Sequence, residues 1–361
     1  MSAFRIGIVT CGGDCPGLNA VIRGVVRSAN QQGWEVFGFE EGYEGLLAPA
    51  KYRLLAKQNT AGILCLGGTI LGTSNRGRFA AKIGQGEKHL IDPEIILEAK
   101  KTLEELQIQA LVCIGGDGSL STALQLQDAG VNVVGVPKTI DNDLSCTATS
   151  FGFDSAIECV ADACDRLHTT ATSHRRAMVL EVMGRYAGWI ALYGGMAGGA
   201  DLILIPEIPF KMASVEAFIN QRRAIGARSS IVVVAEGAFP QGEALMALKG
   251  SNKEGELKLG GIGQRVSDEI QARTGQESRC VVLGHLQRGG DPTTTDRILG
   301  TRFGVHAVEL IKEKKFGHMV SYLNYEVGAV TIADAVGILK TVPPSSQIIA
   351  AARATGISFG D

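Results

Sequence analysis

The chain is short of what a nucleic-acid or membrane protein needs. Its 361 residues carry 35 Lys and Arg against 37 Asp and Glu, a net charge of −2. With no basic stripe and only 6% aromatic residues, both the electrostatic footprint and the stacking rings of a nucleic-acid binder are missing. No apolar run approaches the ~20 residues of a membrane span, and the N-terminus MSAFRIGIVTCGG does not resemble a signal peptide. A soluble, cytoplasmic chain is expected. The cysteines at 11, 15, 65, 113, 146, 159, 164 and 280 include no CxxC pair and no Cys/His cluster at zinc spacing, so reduced thiols are expected. Cys11 and Cys15 flank a Gly-rich turn and are the two candidates for oxidation sensitivity, although small buried residues are the commoner role. No Pro-, Gly- or Ser-rich linker marks a domain boundary, but the length suggests about two domains.

What the chain has in excess is glycine, 47 residues with no collagen period, which implies many tight strand-to-helix turns. The stretch from Leu111 to Asp143 is organised around such turns. Leu111 to Ile114 reads as a buried strand ending in Gly-Gly, and Ser119 and Leu120 open a helix at the same point. Gly115, Gly116 and Gly118 leave backbone N–H groups and the helix dipole converging where a phosphate would be favoured. A second strand, Val131 to Val136, delivers Lys138, Thr139, Asp141 and Asp143 onto the next loop. An anion cradle holding Asp117, followed by two more carboxylates and a lysine, is a parts list for phosphoryl transfer: anion site, metal ligand and base.

The same plan occurs about a hundred residues earlier. Arg5 to Thr10 reads as a strand, Gly12, Gly13 and Gly17 surround Asp14, and Leu18 to Asn30 has helical periodicity. Two such units imply one crevice lined from both sides. The next strand is Trp34 to Phe39; further on, GGTILGTSNRGRF places Arg76 and Arg78 on a loop, and Pro93 to Gln107 reads as an amphipathic helix. Asp154 to Leu167 is helical in spacing, with a turn expected on TTATSHRR. Strands at Ala177 to Val182, Leu202 to Ile205 and Ile231 to Ala235 alternate with helices at Tyr186 to Met196 and Val215 to Ile225, which means a parallel sheet covered by helices. Glu236 follows the last of these strands. Residues 249–261 read as a surface loop, Ile262 to Arg273 and Thr294 to Lys315 as helices, and RCVVLG as a strand leading to His285, Gln287 and Arg288.

MSAFRIGIVTCGGDCPGLNAVIRGVVRSA, GGTILG, IGGDGS, PKTIDND, HRRAMVLEVMGRYAG, AEGA and VLGHLQRGG, in this order, resemble bacterial-type 6-phosphofructokinases along nearly the whole chain. The resemblance implies an α/β fold of two Rossmann-like three-layer domains with mostly parallel sheets, and association as a homotetramer. It assigns 1–150 plus about 290–340 to the nucleotide, and about 151–289 plus 341–361 to fructose 6-phosphate. The activity implied is ATP-dependent phosphorylation of fructose 6-phosphate to fructose 1,6-bisphosphate, the committed step of glycolysis, with Mg²⁺. Gly13, Arg76, Gly116, Asp117, Gly118 and Ser119 match nucleotide positions, with Asp117 the magnesium ligand. Asp141 matches the base, supported by Thr139, Asp143 and Arg185. Thr139, Ile140, Asp141, Arg176, Met183, Gly184, Arg185, Glu236, Arg279, His285 and Arg288 match substrate positions, Arg176 and Arg279 reaching in from a neighbouring subunit.

Three departures bear on donor and regulation. Lys138 stands where ATP-dependent bacterial enzymes have glycine and resembles the pyrophosphate-using and mixed branch; Gly118 points to ATP, because pyrophosphate users carry Asp there. The arginine loop is longer, so Arg76 rather than Arg78 is taken as the phosphate arginine. At the effector site of the family, Arg23 and Arg27 match, but His168 replaces an arginine and Arg228 is the only cation left in AIGARSS. The alternatives are a pyrophosphate-dependent fructose-6-phosphate 1-phosphotransferase and a non-catalytic regulatory subunit; loss of Asp117 or Asp141 would mark the latter, and both are present.

Overall fold

The computed structural model describes residues 3–74, 77–79, 90–243, 247–251 and 257–361. In chain order the strands are β1 (Arg5–Thr10), β2 (Glu35–Phe39), β3 (Tyr52–Leu55), β4 (Ala110–Gly115), β5 (Val133–Pro137), β6 (Ala177–Val182), β7 (Leu202–Leu204), β8 (Ser230–Ala235), β9 (Ala247–Ser251), β10 (Leu257–Leu259), β11 (Ser278–Val282), β12 (His318–Leu323) and β13 (Glu326–Thr331). The α-helices are α1 (Leu18–Gln31), α2 (Pro93–Glu105), α3 (Asp117–Asp128), α4 (Phe153–His174), α5 (Trp189–Ala197), α6 (Met212–Ala224), α7 (Ile262–Thr274), α8 (Thr294–Lys312), α9 (Ile332–Ala335) and α10 (Gln347–Ala354). They belong to two compact units, 1–139 with 144–155 and 288–339, and 140–143 with 156–287 and 340–361.

The first unit is built on a seven-stranded sheet in the order β13-β12-β5-β4-β1-β2-β3. The five inner strands are parallel, and an antiparallel strand closes each edge. Every residue of β4 and β5 is buried, which is why these segments read as unbroken apolar runs rather than as alternating ones. The β1–β4 register pairs Thr10 with Ile114, so the two GGD turns leave neighbouring strands at the same, carboxyl end. Behind them α1 lies against α8 at glycines: a Cβ on Gly24 would stand 2.7 Å from the Thr301 carbonyl oxygen.

The second unit has a four-stranded, all-parallel sheet in the order β11-β6-β8-β7, with β6 and β8 buried along their whole length. Both sheets are covered by helices in the alternation expected of a two-domain α/β protein. Among the described residues no helix is long and apolar enough to cross a membrane, and all eight cysteines are free thiols.

Some elements differ from the expectations. The helix over Asp154 to Leu167 does not turn at TTATSHRR but runs on to His174. The Thr169 hydroxyl donates to the Arg166 carbonyl and that of Ser173 to the Thr169 carbonyl, so these polar residues are satisfied inside the helix. It stops where Arg175 turns left-handed, φ 57°. The 249–261 loop contains strands, since β9 and β10 pair antiparallel. The helix from Thr294 ends at Lys312 rather than Lys315, and β12 and β13 form a hairpin that no turn dipeptide announced. Its turn uses Asn324 and Tyr325, both with positive φ.

Candidate active site

The first unit brings the Gly-rich turns together through Lys138. This side chain is buried, and its ammonium donates to the Gly13 carbonyl at 2.5 Å while its backbone N–H donates to the Gly115 carbonyl at 2.9 Å. One residue at the end of β5 thus ties the turn after β1 to the turn after β4. Gly116 is the N-cap of α3, and Asp117, Gly118 and Ser119 form its first turn, where N–H groups lack partners inside the helix. The Tyr43 hydroxyl donates to the Ser119 carbonyl at 2.8 Å. Gly13 lies close under Arg288: a Cβ there would stand 2.9 Å from Arg288 Nη1, so the guanidinium would have to shift, and Arg288 itself donates to the Asp14 carbonyl at 3.2 Å. The 72–74 stretch of the arginine loop is fastened to the first turn by the Thr73 hydroxyl on the Gly12 carbonyl, 2.6 Å, and by Gly12 N–H on the Ser74 carbonyl, 3.3 Å. Arg76 lies outside the described residues. Arg78 pairs with Glu98 at 2.8 Å, away from these turns.

Asp117 has a partner that no motif signals. Its Oδ1 accepts the backbone N–H of Gly337 at 2.8 Å, which fixes the carboxylate on a loop far along the chain. Thr139, the last residue of the first unit before the acidic loop, has its carbonyl held by the Ser150 hydroxyl at 2.7 Å. Cys11 and Cys15 are buried, and burial pushes both thiols up, Cys15 to about 12. A reactive cysteine needs thiolate, and neither environment supplies it.

In the second unit, Ile140 and Asp141 are buried and Asn142 has φ 53°. Met183, Gly184 and Arg185 follow β6, and Glu236 follows β8, at the carboxyl ends of adjacent strands. The sharp turn needs Gly184 at φ 142° and Arg185 at φ 50°. Glu236 Oε1 accepts the Arg185 N–H at 3.1 Å, and the Met183 N–H donates to Gln287 Oε1 at 3.3 Å. Burial raises the Glu236 carboxyl above its ordinary range, opposed by the Arg185 N–H; the negative charge of Asp141 raises it further. Two carboxylates and a guanidinium therefore share one strand-end cluster. His285 is exposed on the helical turn after β11.

Arg176 and Arg279 are elsewhere. Arg176 precedes β6 and Arg279 is the second residue of β11, at the amino ends of the strands, where both pair with Glu277. The six residues of β6 put roughly 20 Å between that end and Arg185.

The phosphofructokinase family matches residues 5–311 of this chain. The chain belongs to the phosphofructokinase family. It is 49% identical over 357 residues to an ATP-dependent 6-phosphofructokinase of Chloroflexus aggregans, covering 99% of this chain and 98% of that protein. It is also 48% identical over 343 residues to a pyrophosphate–fructose 6-phosphate 1-phosphotransferase of Amycolatopsis methanolica, covering 94% of this chain and 97% of that one. Among solved structures, Pichia pastoris phosphofructokinase in the T-state superposes with a TM-score of 0.81 at 30% identity, covering 99% of this chain and 37% of that one.

Proposed function

We propose that the chain is an ATP-dependent 6-phosphofructokinase, transferring the γ-phosphoryl group of ATP to the 1-hydroxyl of fructose 6-phosphate. The observation that carries this reading is the cluster of Asp141, Arg185 and Glu236 at the strand ends of the second unit, in a chain whose first unit has a phosphate-type helix N-terminus of its own at Gly116 to Ser119. The first unit takes the nucleotide at Gly13, Arg76 and Gly116 to Ser119; the second takes the sugar phosphate at Met183, Gly184, Arg185, Glu236 and His285, with Arg288 of the first unit as a further substrate residue. Asp141 accepts the proton of the 1-hydroxyl as the new O–P bond forms and the bond to the ADP oxygen breaks. A positioned carboxylate suffices as base, because most of the barrier in phosphoryl transfer is lowered by charge neutralisation and alignment.

Mg²⁺ fits the residues of the first unit. The described residues hold no cluster of three His, Cys, Asp or Glu, and a cation of this kind is ordinarily held by one or two carboxylates together with substrate phosphates and waters. Asp117 is that carboxylate: the Gly337 N–H orients it and leaves lone pairs for a ligand. When bound, the ion neutralises charge on the transferring phosphoryl group.

Donor choice rests on residue 118. A glycine in the first turn of α3 leaves space for the α-phosphate, and Lys138, the residue resembling pyrophosphate users, is spent on bracing the two turns. The second reading, pyrophosphate as donor, is favoured by Lys138 and by the Amycolatopsis relative. Arg176 and Arg279, at the far end of their strands from Arg185, fit a role in a neighbouring subunit's site, and the exposed Val281 and Val282 that follow Arg279 on β11 suit a homotetramer interface. A cytoplasmic location accords with this chemistry.

The test is Asp141→Ser, assayed by coupled formation of fructose 1,6-bisphosphate. A fall in kcat of roughly 10²–10⁴ with fructose 6-phosphate KM within a few-fold is expected, since a base acts mainly in the transition state. A Tm loss that accounts for the lost turnover would make Asp141 structural instead.

A further inference from the structure

The acidic loop of the second unit is gripped by a side chain from the C-terminal segment. Lys340 Nζ donates to Asn142 Oδ1 at 2.8 Å, and its backbone N–H donates to the Asp143 carbonyl at 2.8 Å. The lysine is itself fixed: its carbonyl accepts the Trp189 indole N–H at 2.8 Å, and its ammonium stands 5.7 Å from the centroid of the same ring. Two residues on, the Val342 N–H donates to Glu207 Oε1 at 2.8 Å, and that carboxylate also accepts the Gly188 N–H at the start of α5. The grip falls on Asn142, whose backbone is left-handed, φ 53°, a conformation that asparagine adopts more readily than most L-residues and that turns the chain sharply at this point. Asn142 sits between Asp141 and Asp143, so its conformation sets the direction in which both carboxylates leave the loop.

We propose that Lys340 is a positioning residue for the reaction: by holding Asn142 and Asp143 it keeps Asp141 aimed at the substrate hydroxyl. This rests on the reading of Asp141 as the base. Burying an ammonium group is costly to folding, which argues that the contact is kept for position rather than stability. Burial pushes the Lys340 ammonium down to about 8, with the charge of Asp143 acting in the other direction.

The experiment compares Lys340→Met, Asn142→Gly, the double variant and Asp141→Ser in the full-length enzyme, measuring kcat, fructose 6-phosphate KM and Tm. Asn142→Gly removes the acceptor while tolerating the left-handed backbone, and so cuts the same contact from the other side. Both single variants should lose about 10- to 100-fold in kcat, the scale of a misplacement near 1 Å, with KM within about 3-fold and Tm not lowered in Lys340→Met. The double variant should lose no more than the worse single one, because both break one contact. A wild-type kcat in Lys340→Met, additive losses, or a turnover loss explained by a lower Tm overturns the proposal. If Asp141→Ser loses turnover while Lys340→Met does not, only this proposal fails; if Asp141→Ser keeps wild-type turnover, the base assignment fails and takes the proposal with it.

Discussion

Asp296 gives a prediction whose size follows from its surroundings. It lies in the first turn of α8 and is 1% exposed; its Oδ2 accepts the Ser155 N–H at 2.8 Å and the Ser155 hydroxyl at 2.6 Å, pinning α8 to the start of α4. Its Oδ1 is buried with no partner among the described residues. Burial raises the carboxyl from 3.8 to about 6, although the hydrogen bonds from Ser155 oppose the shift. A carboxyl whose pKa is higher in the folded state favours folding fully below its unfolded pKa, and that contribution is lost as pH rises through the folded value. The shift of about 2 units corresponds to about 3 kcal/mol lost between roughly pH 4 and 6. Asp296→Asn mimics the neutral form. It should match the wild type at pH 4 and exceed it at pH 7.5 by up to about 3 kcal/mol, a Tm gain on the order of 5 °C. Thermal melts of both proteins at half-unit steps from pH 4 to 8 provide the assay. A Tm difference that stays constant across that range would refute the argument.

Two further outcomes follow from the residues that depart from the family pattern. Gly118→Asp should cut ATP-dependent turnover far more than pyrophosphate-dependent turnover, since like charges at ~4 Å repel by a few kcal/mol at a protein's effective dielectric. An acidic residue in the first turn of α3 suits the helix dipole, so Tm should be unchanged; retained ATP activity would refute the account of donor choice. Phosphoenolpyruvate at submillimolar levels should neither inhibit the enzyme nor shift its fructose 6-phosphate cooperativity. His168, which the resemblance sets where the family has an arginine, lies with Nε2 2.9 Å from the Gly198 carbonyl; on that reading two charge-assisted contacts of about 1.5–3 kcal/mol each are lost, for at least about a hundredfold weaker binding. Inhibition at micromolar concentrations would show that other cations have replaced them.

In each unit the strands that carry candidate site residues at their carboxyl ends were legible because each joins an unbroken apolar run to a glycine or acidic turn, as Ala110–Gly115 does in the first and Ser230–Ala235 in the second. Elements governed by distant packing were not. Nothing local says that TTATSH continues a helix, because Thr and Ser read as turn formers until their hydroxyls are seen bonding within it. The His318–Leu323 and Glu326–Thr331 hairpin lacks an Asn-Gly signal, its turn resting on Asn324 and Tyr325. The candidate site residues carried motifs, but their supports did not. Gly337 reaches Asp117 across 220 positions and Lys340 reaches Asn142 across 198, and contacts of that separation leave no mark in local spacing.

The central claim is most directly tested by initial rates of fructose 1,6-bisphosphate formation from fructose 6-phosphate, with Mg·ATP and with Mg·pyrophosphate side by side at saturating donor. The account predicts faster turnover with ATP than with pyrophosphate. Faster turnover with pyrophosphate would contradict it and assign Lys138, rather than Gly118, the choice of donor.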